Sequence, residues 1–93
     1  IKSPKLSKIT RRRKAFTTKW KKIDYIEGYQ IRYSLKKNMK SSKTVNVKKT
    51  ATSKKVSKLK AKKTYYVQIC AYKTINGKKV YSSWSAKKTV KTK

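Results

Sequence analysis

The stretch Leu59 to Ala71 constrains this chain most. From Tyr65 it alternates: Tyr65, Val67, Ile69 and Ala71 fall on one side of an extended backbone, and Tyr66, Gln68, Cys70 and Tyr72 on the other. Successive side chains of a strand point to opposite faces, so a period of two marks a strand with one face on a core. That core must be made from little. The 93 residues are 35% hydrophobic and 11% aromatic, and a single domain of this size has a marginal interior. The few apolar positions must be large and well placed, and seven Tyr and two Trp carry much of the burial.

Taken in order, the rest of the chain supplies more strands. Pro4 to Ile9 reads as a first strand, with Pro4 at an edge position where no ladder donor is needed. Leu6 and Ile9 are three apart, so a bulge lies between them if both are buried. Arg11-Arg12-Arg13-Lys14 occupies the following turn. Ala15 to Lys21 is a second strand, with Phe16, Thr18 and Trp20 on one face. Lys21 to Glu27 is a loop with Ile23 and Ile26 as plugs for the end of a sandwich. Gly28 opens a third strand, Tyr29 to Tyr33. Lys36 to Lys43 is polar and turn-rich. Thr44 to Lys48 follows with Val45 and Val47 inward, then a turn, then a strand from Thr52 to Lys58 held by Val56 and closed by Leu59. Asn76-Gly77 predicts a type I′ hairpin, since both central residues of that turn need positive φ. A final strand runs from Lys78 to Val90. Seven short strands with regularly spaced turns predict an all-β sandwich.

Several segments resemble one family. A Leu six residues before a Tyr that opens Tyr65-x-Val67-x-Ile69-x-Ala71 resembles the E–F corner of fibronectin type III domains, where the Tyr hydroxyl bonds back to the turn backbone. Trp20 at the end of its strand, and Gly28-Tyr29-x-Ile31-x-Tyr33, are similar to that family's core Trp and Gly-Tyr-x-Val-x-Tyr pattern. The resemblance spans Pro4 to Val90. It implies a seven-stranded Ig-like (fibronectin type III) antiparallel β-sandwich with a core of Trp20, Tyr29, Ile31, Tyr33, Leu59, Tyr65, Val67 and Ile69. It is nearest to the lysine-rich modules of Gram-positive bacterial surface and secreted proteins, in which Lys-Thr-Tyr-Tyr-Val, Asn-Gly-Lys and Tyr-Ser-x-Trp-Ser segments recur. Two places depart from the pattern: Ala61-Lys62 stands where Pro or Gly tightens the turn, and Arg11 to Arg13 replace a plainer Asn/Lys turn. Residues 1–93 are expected to form one domain excised from a longer modular protein.

Chemistry is sparsely provided. There is no His, so the commonest general base is missing, and Asp24 and Glu27 are the only carboxylates. Both are read as solvated charge relief, and no enzyme activity is expected. One Cys, two acids and no His fall short of a four-ligand metal site, so neither metal nor cofactor is expected. A single Cys allows no intrachain disulfide. Alternation puts Cys70 on the outer face of its strand, where neighbouring Lys should favour the thiolate, and its expected role is that of a small residue fitted to a sheet face. No apolar run approaches the ~20 residues of a membrane span.

Charge dominates instead. Thirty Lys and Arg against two acids give +28, and only four of the thirty are Arg. Such a balance attracts polyanions and repels itself. Lys is a hydrated point charge, whereas Arg reads phosphate bidentately, and Lys along strands also blocks edge-to-edge pairing. Arg11, Arg12, Arg13 and Lys14 are the densest cations and the candidate polyanion site. Tyr81-Ser82-Ser83-Trp84-Ser85 resembles the Trp-Ser-x-Trp-Ser box of cytokine-receptor fibronectin domains, in which rings interleave with Arg of the neighbouring strand. The strand from Tyr65 offers no Arg, so only Lys is expected to stack there and the segment is read as structural cover. The sharper alternative is a glycan platform made by Tyr66, Tyr72, Tyr81 and Trp84, weakened by the lack of an acid or Asn nearby. No Arg-Gly-Asp sequence occurs. The expected function is a non-catalytic, monomeric spacer or interaction module, extracellular and bacterial. Its expected partners are neighbouring domains of the same chain and anionic cell-wall polymers such as teichoic acid, glycosaminoglycans or nucleic acid.

Overall fold

A computed structural model describes residues 3–93, so Ile1 and Lys2 of the expected 1–93 domain lie outside the described residues. Eight strands follow in order: β1 (Leu6–Arg12), β2 (Ala15–Trp20), β3 (Gly28–Ser34), β4 (Lys43–Lys48), β5 (Ser53–Val56), β6 (Thr64–Ile75), β7 (Lys78–Tyr81) and β8 (Lys88–Lys91). They form two antiparallel sheets, β1-β2-β5 and β4-β3-β6, with β7 and β8 both alongside the free edge of β6. The expected all-β sandwich is thus present, with one strand more than the seven anticipated.

The extra strand comes from a break. Where one strand from Lys78 to Val90 was expected, β7 pairs with the C-terminal end of β6 (Tyr72↔Tyr81 to Ile75↔Lys78) and β8 with its N-terminal end (Thr64↔Lys91 to Val67↔Lys88). Ser82 to Lys87 between them is not strand. The first strand also differs, because β1 begins at Leu6 and continues to Arg12. Its register shifts between Leu6 and Lys8, which is the anticipated irregularity. Arg11 and Arg12 pair with Phe16 and Ala15, leaving Arg13 and Lys14 alone in the turn, with Lys14 at φ 51°.

The inner faces carry the alternation into the core. Phe16, Trp20, Tyr29, Ile31, Tyr65, Val67, Ile69 and Ala71 are buried in one cluster with Leu6, Val47, Val56 and Val90, and Tyr33 and Leu59 pack against it half-buried. Edge-to-face aromatic pairs fill much of this volume: Trp20 on Tyr29 at 5.2 Å, and Phe16 and Tyr65 on Tyr33 at 5.9 and 6.0 Å. At the β2–β3 end Ile26 is buried and the Tyr29 hydroxyl accepts the Ile23 N–H at 2.8 Å, so the two isoleucines plug that end.

The opposite end is closed by the corner. The Lys60 N–H donates to the Tyr65 hydroxyl at 3.0 Å. Thr92, fully buried, donates its hydroxyl to the Lys60 carbonyl at 2.6 Å and accepts the Lys63 N–H at 3.2 Å. Lys62, where Pro or Gly was expected, takes φ 54°, and Lys58 takes φ 61°. Both are left-handed conformations that Gly adopts freely and other residues at a cost, so the turn keeps its geometry under strain held by Tyr65 and Thr92. Asn76 and Gly77, at φ 51° and 78°, form the expected hairpin turn.

Tyr65→Phe keeps the ring and strands the Lys60 N–H. It is expected to lower stability by about 1–2 kcal/mol, read from the denaturant midpoint with an unchanged m-value; an unmoved midpoint contradicts the role given to the corner.

Candidate functional site

The outer face of the β4-β3-β6 sheet holds the aromatic candidates. β3 presents Gln30 and Arg32 there, opposite Cys70 and Gln68 of β6. The Arg32 guanidinium lies 4.3 Å from the centroid of the Trp84 ring, and its Nε donates to Gln68 Oε1 at 2.8 Å. Gln68 Nε2 in turn donates to the Ser85 carbonyl at 2.8 Å. The expectation that only Lys could stack here is therefore corrected: the Arg comes from β3, one strand further over, and the β3–β6 register sets it beside Gln68. The β6 sequence alone could not disclose this, since the signal lies in pairing two distant segments.

Two serines hold the segment in place. The Ser82 N–H donates to the Ala71 carbonyl at 2.8 Å while its Oγ accepts the Ala71 N–H at 2.9 Å. Ser85 repeats the arrangement on Ile69, at 2.8 and 3.0 Å. Side-chain oxygens here replace the carbonyls that a continuous strand would offer, so the β6 backbone stays satisfied through the break. Trp84 projects over the sheet between them.

The four candidate aromatics do not form one platform. Tyr72 and Tyr81 make a pair at 5.9 Å, with Lys79 Nζ 5.2 Å from the Tyr72 ring. The Tyr72 ring also crosses Gly28, where an added Cβ would meet its hydroxyl at 2.8 Å and the Val47 carbonyl at 2.8 Å. Trp84 is half-buried under Arg32, and Tyr66 is half-buried at the other end of the same row, with Gln68 and Cys70 between it and Tyr72. Polar readers are less absent than the sequence suggested, because Asn46 accepts from Gln30 Nε2 at 3.0 Å on this face.

Cys70 also departs from expectation. It is 1% exposed, and that burial pushes its thiol up to about 11, against smaller opposing effects from the Gln30 backbone and Arg32. Lys neighbours in sequence do not stabilise a thiolate that water cannot reach. Glu27 is exposed as expected but not idle: its two carboxylate oxygens accept the Thr74 N–H at 3.2 Å and the Thr74 hydroxyl at 3.0 Å. No cluster of three or more His, Cys, Asp or Glu able to hold a metal occurs among the described residues, nor any helix long and apolar enough to cross a membrane.

The cationic candidates are split as well. Arg11, Arg12, Arg13 and Lys14 are all exposed, but successive strand residues point to opposite faces, so Arg11 and Arg12 diverge. Lys14 is tied into the closed end of the sandwich, its N–H donating to the Lys93 carbonyl and its own carbonyl accepting the Leu59 N–H, at 3.1 and 3.0 Å. Arg13 and Lys14 thus belong with the lysines of the β5–β6 turn rather than with a separate patch.

Arg32→Lys keeps the charge and removes the planar fork that both stacks on Trp84 and bonds Gln68. It is expected to cost about 1 kcal/mol and to alter Trp84 fluorescence in the folded state; unchanged stability and emission would mean the stack contributes nothing. For Cys70, alkylation of the folded chain near pH 8 is expected to run about a hundredfold slower than in denaturant, and to accelerate with pH up to about 11. Equal rates in both states would contradict its burial.

A family profile for the fibronectin type III domain matches residues 3–88. A search of curated protein sequences finds no match. Among solved structures, the chicken CNTN1 FN1-FN3 domains superpose with a TM-score of 0.77 at 24% identity over 96% of this chain, which spans 29% of that one. The fn3 domain of human contactin 1 gives 0.82 at 17% identity, covering 100% of this chain and 78% of that one. A β-1,2-glucanase from Parabacteroides distasonis gives 0.77 at 19% identity over 97% of this chain, but this chain covers only 12% of it. At these identities the structural likenesses speak for the fold, and with the corner, the paired sheets and the profile they place the chain in one family: it belongs to the fibronectin type III domains.

Proposed function

We propose that this fibronectin type III domain is a non-catalytic spacer and interaction module of a longer extracellular protein, adhering to anionic polymers through a diffuse cationic coat. One observation carries the reading: each of the eight strands contains Lys or Arg, and the turns add more, so positive charge surrounds the domain. The outer aromatic face supports a structural role, because Trp84, Arg32 and Gln68 are bound to one another and to Ser85. The resemblance to lysine-rich Gram-positive modules suggests a bacterial surface or secreted parent whose other domains are the first partners. Adhesion to an anionic wall would then need no dedicated site, since Lys offers point charges without bidentate reading.

Two variants of equal charge test this. One replaces Arg11, Arg12, Arg13 and Lys14 by Gln, at the closed end. The other replaces Lys48, Lys49, Lys78 and Lys79 by Gln, around the β4 end and the β6–β7 hairpin at the opposite end. Titrated against heparin and duplex DNA at two salt concentrations, both are expected to lose affinity equally. With ~5 phosphates neutralised, the parent's log K on DNA should fall against log salt with a slope of about −4.5. A loss confined to the Arg11–Lys14 variant would replace the coat by a dedicated site, and a parent that binds neither polymer would remove polyanion adhesion from its function.

A further inference from the structure

The closed end of the sandwich holds a cleft of about 340 Å³ between the β3–β4 loop and the β5–β6 turn. Lys36, Lys40, Lys43, Lys58 and Lys60 line it, and no carboxylate does. Its apolar floor is Leu59, Tyr33 and Tyr65. The only acids lie before β3, whose seven residues separate them from the cleft. That is about 20 Å of strand, roughly two Debye lengths at physiological salt, so nothing relieves these five cations.

Both walls are built rather than loose. In one, the Ser34 hydroxyl donates to the Lys40 carbonyl at 2.6 Å and accepts the Lys36 N–H at 3.1 Å, while Met39 is buried beneath. In the other, Lys60 is held by Tyr65 and Thr92, and Leu59 by the Lys14 carbonyl. Ser41 and Lys58, one on each wall, take left-handed φ values of 55° and 61°. Non-glycine residues kept in such conformations mark places where surrounding structure imposes a geometry. The Leu59–Lys14 backbone bond also sets Lys14 beside the β5–β6 turn, so positive charge continues beyond the cleft.

The lining narrows the ligand. Phosphate suits Lys, which binds it as a point charge. A single-stranded nucleic acid would need free aromatic faces for its bases, but Tyr33 packs edge-to-face with both Phe16 and Tyr65, and Tyr65 is buried. A sulfated sugar carries several hydroxyls for each anionic group, and the apolar floor of Leu59, Tyr33 and Tyr65 leaves most of them without a partner, whereas a short polyol linker carries few. What fits an apolar floor between unpaired ammonium groups, with cations continuing beyond, is a flexible chain of phosphodiesters joined by short polyol linkers. We propose that this cleft binds a segment of a poly(polyol phosphate), a selective site added to the general coat. The inference rests on the polyanion affinity proposed above.

The test uses the whole chain and two equal-charge variants, Lys36→Gln/Lys40→Gln/Lys58→Gln/Lys60→Gln and Lys48→Gln/Lys49→Gln/Lys78→Gln/Lys79→Gln, each first shown to be folded. Calorimetric titrations use synthetic poly(glycerol phosphate), heparin and oligothymidylate at matched charge, with amide shifts mapped by NMR. The cleft variant is expected to lose about tenfold more affinity for poly(glycerol phosphate) than the other, with equal losses on heparin, and parent shifts should centre on Ser41, Leu59 and Lys60. Equal losses on poly(glycerol phosphate) overturn the cleft and leave the coat. A cleft-specific loss on oligothymidylate, with none on poly(glycerol phosphate), reassigns the site to nucleic acid and overturns the proposal. A parent that binds none of the three overturns the coat and the cleft together.

Discussion

The backbone of β6 must be hydrogen-bonded along both edges, and most of the architecture answers that demand. One edge is met by seven consecutive partners in β3. The other is met by β7 at one end, β8 at the other, and two serines in between. A buried amide without a partner costs about 1–3 kcal/mol, so the gap opposite Ile69 and Ala71 could not simply be left. Ser82 and Ser85 fill it with the N–H and hydroxyl of one residue each. The chain is thereby freed from the pleat and lifts Trp84 over the sheet, where Arg32 and Gln68 receive it. The aromatic segment is thus a consequence of how an edge is completed, and its contacts run inward to the fold.

This also explains what could be read from the residues and what could not. The alternation from Tyr65 to Ala71, the corner spacing from Leu59, the Asn76-Gly77 turn and the bulge near Leu6 are local signals, and all have their structural counterparts. The break in the last strand is different, because a Ser bridge to a neighbouring backbone has no periodicity. Its only trace was the resemblance of Tyr81 to Ser85 to a box in another branch of the family. Arg32 escaped because its partner is 52 positions away in sequence and meets it through register. Cys70 keeps the expected role of a small residue on a sheet face, but the expected thiolate fails for the same reason: its surroundings are set by pairing with Gln30 of β3 and not by its sequence neighbours.

A chain with thirty cations must hold a thin core against its own repulsion. It does so by interlocking five of its ten aromatics in the core, with Trp20 edge-on to Tyr29, Tyr33 edge-on to Phe16 and Tyr65, and Phe16 tilted against Tyr65. Most lysines meanwhile stay exposed, many of them on the edge strands and in turns, where they also keep sheets of different molecules from pairing. Glu27, one of two carboxylates, bonds Thr74 and so braces the hairpin that overhangs the sandwich.

The two ends of the sandwich therefore differ in kind. Both acids and the isoleucine plugs sit at the β2–β3 end, whereas the closed end carries five of the seven non-glycine residues with positive φ among the described residues: Lys14, Met39, Ser41, Lys58 and Lys62. Three of these are Lys, at positions where Gly would be relaxed and uncharged. Each costs a fraction of a kcal/mol to about 1 kcal/mol relative to Gly, and each adds charge to an end that already repels itself. Neither stability nor solubility requires cations at the positions where they are conformationally most expensive, since uncrowded strand positions would serve as well. The lysines, their strained backbone and the absence of any acid beside them are what the proposed anionic ligand would account for.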